Sequence, residues 1–186
     1  MEHRMQPKHL AAALAALLAT VATLVALSPS AGAETLCTPF QMTTTSGAGA
    51  TGLGGSATGT SGEAVAFLSD RNQNGGNPDL NLEVWLAEPG AVPRAITSTT
   101  GPGNDVPAIS GDGDLVAWPA THDFGGQNPD GNAEVWMWQR ATNTITAVTI
   151  SSGGSSSSAG DVDVSRDGTT IVFASNRDLV GTNADL

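Results

Sequence analysis

Beyond residue 60 the apolar residues of this chain fall in short runs rich in Val, Ile, Trp and Thr, with Gly, Asn, Asp, Pro or Ser between them. Runs of this length and composition predict β-strands. Four are expected in one complete unit: Val106 to Ile109, Leu115 to Trp118, Glu134 to Gln139 and Ile145 to Ile150. Asp112-Gly113 between the first two predicts a tight hairpin, because Gly tolerates the positive φ that such turns need. After the N-terminal region no segment holds a helical period over about ten residues, so no helix is expected there.

The pattern repeats. Asn77-Pro78-Asp79, Glu83-Val84-Trp85 and Val65-Ala66-Phe67 return 51 residues later as Asn128-Pro129-Asp130, Glu134-Val135-Trp136 and Val116-Ala117-Trp118. Ala95-Ile96-Thr97 matches Ala147-Val148-Thr149 at a step of 52. A third copy opens at a step of 55, with Ser165-Arg166-Asp167-Gly168 echoing Ser110-Gly111-Asp112-Gly113 and Phe173 echoing Trp118. Asn183-Ala184-Asp185 stands where the Asn-Pro-Asp element belongs.

Four strands per unit of about 50 residues predict the blade of a β-propeller. One four-stranded sheet cannot bury both faces alone, whereas radial stacking covers each blade with the next. The expected fold class is all-β, a β-propeller of four-stranded antiparallel blades. It is incomplete, with about two and a half blades over residues 61–111, 112–166 and a truncated 167–186. Phe67, Trp118 and Phe173 are expected to pack between blades.

Val106-Pro107-Ala108-Ile109 followed by Ser110-Gly111-Asp112-Gly113-Asp114-Leu115-Val116-Ala117-Trp118 resembles the repeat of TolB-like, WD-related propellers. So does Asp167-Gly168-Thr169-Thr170-Ile171-Val172-Phe173. Glu134-Val135-Trp136-Met137-Trp138 resembles that family's third strand and Ala147-Val148-Thr149 its fourth. The first repeat departs from the pattern, with Ser61-Gly62 in place of Asp-Gly. The resemblance implies a secreted or periplasmic bacterial protein and a propeller fold. It says little of activity, since propellers host many functions.

The N-terminus reads as an address. Arg4 and Lys8 precede an apolar run from Leu10 to Leu27, then Pro29 and Ala31-Gly32-Ala33. This predicts a secretory signal peptide over 1–33, cut between Ala33 and Glu34, with an uncleaved anchor as the rival. Residues 34–60 form a Gly/Thr-rich segment. Phe40 to Thr44 sits where a fourth strand belongs, so a strand over about 38–45 is expected to close the ring, with a flexible linker as the alternative. Cys37 is the only cysteine, which excludes a disulfide within the chain.

Charge narrows the partners. The net charge is −11, and Lys+Arg total 7 against 18 Asp+Glu. Such a chain repels phosphate backbones, so nucleic acid is excluded, as is an anionic membrane after signal cleavage. A protein or carbohydrate partner is expected.

Candidate chemistry is sparse. Gly47-Ala48-Gly49-Ala50-Thr51-Gly52 matches a dinucleotide fingerprint in letters, but Leu53-Gly54-Gly55-Ser56 does not begin the helix that must follow. Asn77, Asp79, Asn81 and Glu83 place oxygens at alternate residues, as do Asn128, Asp130, Asn132 and Glu134. Alternating Asn and Asp begin calcium loops, yet the distal Glu is missing and the first loop lacks the Gly. An Asx-capped strand connection is the alternative. His122, the one histidine past the leader, lies beside Asp123 without a nucleophile elbow or a second His. Asp112, Asp114 and Asp167 read as turn residues rather than a glycosidase pair. No catalytic, cofactor-binding or metal residue is assigned and no cofactor is expected. The expected function is a non-catalytic binding or scaffold propeller. Two alternatives stay open: the propeller of a secreted hydrolase whose catalytic part lies beyond residue 186, and a TolB-type envelope role. The lack of an amino-terminal helical domain before the blades counts against the latter.

Overall fold

The computed structural model describes Thr43, residues 64–152, residues 162–179 and Gly181. All belong to one compact unit, Gln41–Leu186. The signal peptide and its cleavage site, Cys37, the Gly-rich run at 47–52, Ser61-Gly62 and Asn183-Ala184-Asp185 lie outside the described residues, as does the expected closing strand apart from Thr43.

Among the described residues the fold is all-β, with nine strands and no helix. It is an incomplete β-propeller. The first blade contributes β1 (Val65–Ser69), β2 (Glu83–Ala87) and β3 (Arg94–Ala95) as one antiparallel sheet in that order. The second is a complete four-stranded meander of β4 (Ala108–Ile109), β5 (Leu115–Ala120), β6 (Glu134–Gln139) and β7 (Thr144–Ala147). The third shows β8 (Asp163–Val164) paired with β9 (Ile171–Val172).

The repeat is exact in register. Phe67 pairs with Trp85 in the first blade and Trp118 with Trp136 in the second. The step lengthens from 51 to 52 between the third and fourth strands because the hairpin there is one residue longer: Leu86 pairs with Arg94, but Met137 pairs with Thr146.

Four strand ends differ from expectation: β4 begins at Ala108 rather than Val106 and β7 at Thr144 rather than Ile145, and two others move for a physical reason. β5 runs through Pro119 to Ala120 rather than stopping at Trp118. The Val135 carbonyl accepts from Val148, so Val135 directs its backbone groups toward β7. Pro119, opposite Val135, therefore needs no N–H toward β6. β7 ends at Ala147 rather than Ile150. There the amides of Val148 and Thr149 both donate to the Val135 carbonyl, at 2.8 and 3.3 Å, which makes a bulge. Ile96 and Thr97 do the same at the Val84 carbonyl, at 2.8 and 3.3 Å.

Alternation along the strands sets the packing between blades. Ala66, Leu68, Val84 and Leu86 on one face of the first blade pack with Val116, Trp118, Trp136 and Trp138 of the second. The second blade's other face, with Ala117 and Met137, meets Val164 and Ile171 of the third. At the first interface aliphatic side chains thus receive aromatic ones from the next blade. Trp118 packs between blades as expected. Phe67 lies on the opposite side of the first blade with Trp85 and Ala87. Phe173 is only half-buried. Polar links join the first two blades as well. Arg140 Nη2 donates to Glu88 Oε1, and the Arg94 guanidinium lies 4.5 Å over the Trp138 ring. No helix among the described residues is long and apolar enough to cross a membrane.

Candidate functional site

In a meander, the β1–β2 and β5–β6 connections lie at the same end as the links between successive blades. That end collects the Asn/Asp loops, His122 and the segments 97–107 and 149–152. The Ser-x-Asp-Gly hairpins lie at the other end.

Each third strand starts with a buried glutamate. Glu83 is 1% exposed and Glu134 2%. A carboxylate so placed costs several kcal/mol unless donors surround it, and donors do. Glu83 Oε1 accepts from the Thr99 amide at 2.5 Å and the Thr99 hydroxyl at 2.8 Å. Its Oε2 accepts from the Thr97 hydroxyl and, at 3.1 Å, from Asn104 Nδ2. Glu134 repeats this with the Thr149 hydroxyl at 2.5 Å and the Ser151 amide and hydroxyl at 2.7 and 2.6 Å. Both threonines also accept a strand amide, Val84 N or Val135 N, at 2.9 Å. The two glutamates are therefore fastenings between the third strand and the chain that leaves the fourth.

The asparagines of the two loops act mainly as donors. Asn77 Nδ2 donates to the Asn81 carbonyl at 2.8 Å, and Asn128 Nδ2 to the Asn132 carbonyl at 2.8 Å. Asn81 Nδ2 reaches the carbonyls of Thr99 and Gly101 at 3.0 and 2.8 Å, and Asn132 Nδ2 that of Ser151 at 3.1 Å. Asn72 Oδ1 accepts the Asn77 amide at 3.2 Å, as Asp123 Oδ1 accepts the Asn128 amide at 2.8 Å. The Oδ1 atoms of Asn77, Asn81, Asn128 and Asn132 are buried and accept no hydrogen bond.

His122 and Asp123 are turned to separate tasks. His122 Nε2 meets the Gly101 carbonyl at 3.2 Å, while Asp123 caps Asn128. Asp112 and Asp167 sit on their hairpins. Ser110 Oγ donates to Asp112 Oδ1 at 2.5 Å and receives the Leu115 amide at 3.0 Å. Ser165 repeats both bonds, to Asp167 at 2.7 Å and from Thr170 at 2.9 Å. The hydroxyl bonds hold both carboxyls below their ordinary range, Asp167 at about 2. These Asp residues order turns and do not converge with the loops at the far end.

Asn104 joins these residues without having stood out in the sequence. Its Nδ2 donates to the Leu82 carbonyl at 3.0 Å as well as to Glu83, and its Oδ1 accepts Trp118 Nε1 at 3.2 Å. One amide therefore ties the first blade to the second. The repeat held no signal for it, since Leu53 and Ala159 stand at the corresponding steps. Also missed were large apolar residues left in water at this same end. Leu80 is 61% exposed, Val106 44% and Ile150 67%. Exposed Asp79, Asp105, Asp123 and Asp130 accompany them.

No family model matches the chain, and no curated protein matches it. Among solved structures it is similar to one assigned as TolB from Agrobacterium tumefaciens. That likeness has 19% identity and a TM-score of 0.44, over 66% of this chain and 37% of that one. It is also similar to an acylaminoacyl peptidase from Pyrococcus horikoshii, with 14% identity and a TM-score of 0.37, over 60% of this chain and 15% of that one. The chain spans well under two thirds of the length of either.

Proposed function

We propose that this chain is the propeller of a secreted or periplasmic protein, that it is a non-catalytic binding module, and that its partner is a protein. The observation that carries this is the loop end. Leu80, Val106 and Ile150 are exposed there on chain held by the fixed Glu83 and Glu134 fastenings, among four exposed Asp. Apolar side chains rimmed by one sign of charge suit a protein surface with basic groups. Carbohydrate is the weaker choice. Sugar-binding surfaces stack rings on exposed aromatics, and all four Trp are at most 1% exposed.

The test takes the full chain to a panel of cationic and anionic proteins and to a glycan array, at low and high salt. Binding to cationic proteins is expected, weakened by salt and by L80S/V106S/I150S together. Glycan binding that survives the triple variant overturns the reading, as does turnover of ester or peptide substrates by the full chain. Export is tested separately by N-terminal sequencing of the secreted product, which is expected to begin at Glu34.

A further inference from the structure

The four buried Asn oxygens have no role in holding the fold. Their orientation is nonetheless forced. Each amide nitrogen donates to a backbone carbonyl, so flipping any one sets oxygen against oxygen. A buried amide oxygen without a donor costs about 1–3 kcal/mol. Here the cost arises twice in each of two loops, at positions 51 residues apart. Recurrence at equivalent atoms points to a common purpose.

A water molecule has little room at the four oxygens, each of which exposes less than 1 Å². A bare cation is smaller: Ca²⁺ holds its oxygens at about 2.3–2.6 Å, against about 2.7–2.8 Å for a hydroxyl–oxygen hydrogen bond. The loops also curl about a residue in the left-handed region, Leu80 at φ 56° and Gly131 at φ 66°. A Leu adopts that conformation only where its surroundings impose it. No lysine lies in either loop.

We propose that the two Asn-x-Asp-x-Asn loops are cation sites for Ca²⁺. Asn77 and Asn81 supply amide oxygens in the first, Asn128 and Asn132 in the second, with Asp79 and Asp130 adding one negative charge to each. Glu83 and Glu134 are not ligands, because protein donors already occupy their oxygens. No three acidic, His or Cys side chains converge among the described residues. The sites are therefore amide-based and weak, in the range of about 10⁻⁴–10⁻³ M that suits modules working at high calcium. Mg²⁺ is disfavoured, since it demands near-octahedral geometry and keeps its waters.

Calorimetric titration of the full chain with CaCl₂ at constant NaCl tests this, beside thermal unfolding with Ca²⁺, Mg²⁺ or chelator. Two sites are expected, with a rise in melting temperature for Ca²⁺ only. Asp79→Asn and Asp130→Asn each remove one site, and the pair removes both along with the thermal shift. These exposed carboxyls are chosen because the Asn amides hold the loops together. Unchanged tryptophan fluorescence shows that the variants fold. Absence of heat and of thermal shift at about 10 mM Ca²⁺, above the weakest affinities of such modules, overturns the proposal. So does an equal response to Mg²⁺, or a response undiminished in the double variant.

Discussion

Replacing Glu83 by Gln changes one atom of a buried site and reads out the fastening directly. The carboxylate accepts four hydrogen bonds, from the Thr97 hydroxyl, the Thr99 amide and hydroxyl, and Asn104 Nδ2. The Thr99 amide can only donate, so the glutamine oxygen must face it. The new NH₂ then points at Thr97 and Asn104. Asn104 Nδ2 is a donor 3.1 Å from the replaced oxygen and meets another donor. The Thr97 hydroxyl already accepts the Val84 amide at 2.9 Å, so its proton loses its acceptor. A hydrogen bond to a charged group contributes about 1.5–3 kcal/mol. With two lost and two weakened, E83Q is expected to destabilise by about 3 kcal/mol, a large part of a typical total of about 5–15 kcal/mol. Glu134 faces two hydroxyls and one amide, with no side-chain amide donor found among the described residues. The Thr149 hydroxyl likewise accepts the Val135 amide and its proton loses its acceptor, but no Asn104 amide opposes the new NH₂, so E134Q is expected to cost about 1 kcal/mol less than E83Q. Urea unfolding followed by tryptophan fluorescence measures both. At an m-value of about 2 kcal/mol/M the E83Q midpoint falls by about 1.5 M. An E83Q midpoint within about 0.25 M of the parent, or E134Q as the more damaging change, refutes the reasoning.

Three further outcomes follow from the same geometry. A Cβ at Gly111 would stand 2.8 Å from the Arg166 carbonyl oxygen, to which the Gly111 amide donates at 2.8 Å. Gly111→Ala is therefore expected to push the second and third blades apart and cost about 1–3 kcal/mol in urea unfolding. The Asp167 carboxyl is held at about 2 in the folded chain, so the folded state binds fewer protons than the unfolded one between there and the ordinary 3.8. Its stabilising effect is full above 3.8 and is lost as pH falls toward 2. D167N is expected to flatten that part of the stability profile, and NMR titration of the side-chain carbonyl to place the folded value. Phe124 packs edge-on against Trp118 and Trp136, with centroids 5.9 and 4.9 Å away. Phe124→Ala is expected to cost about 2–3 kcal/mol and to shift tryptophan emission to the red, which steady-state fluorescence reads.

The strands were legible because turn chemistry brackets them. Asp112-Gly113 marked a hairpin, and Gly113 has φ 77° as that turn needs. Glu134–Gln139 agrees to the residue with its expectation. One end moved where a side chain claims the backbone: the Thr149 hydroxyl takes the Val135 amide, and β7 stops before Ile150. The faces were less legible. A blade buried on both sides shows no polar alternation. Nothing in Val-Ala-Trp or Glu-Val-Trp-Met-Trp told which ring meets which neighbour. The Asn/Asp loops were found by spacing, yet spacing could not tell donor from acceptor. That distinction lies in where Thr99, Gly101 and Ser151 fall in space.

The two blade interfaces show what a repeat can and cannot encode. The same Glu, Thr and Asn atoms recur at both loop ends and fix the backbone in the same way. The first interface then adds Asn104 between Glu83 and Trp118. At the second, Phe173 takes the place of Trp118, and with Ser175, Arg177 and Leu179 it borders a small cleft beside Glu134. Phe offers no ring N–H, so no amide is needed opposite it. Leu80 is likewise answered by Gly131, and Asn72 by Asp123. The repeated Glu, Thr and Asn side chains hold the loops still, whereas Leu80, Val106 and Ile150, which do not repeat, face the solvent. On the proposed protein-binding reading, recognition of a partner rests on the positions the repeat leaves free, so replacing Leu80, Val106 and Ile150 is expected to alter binding while the Glu83 and Glu134 fastenings keep the fold.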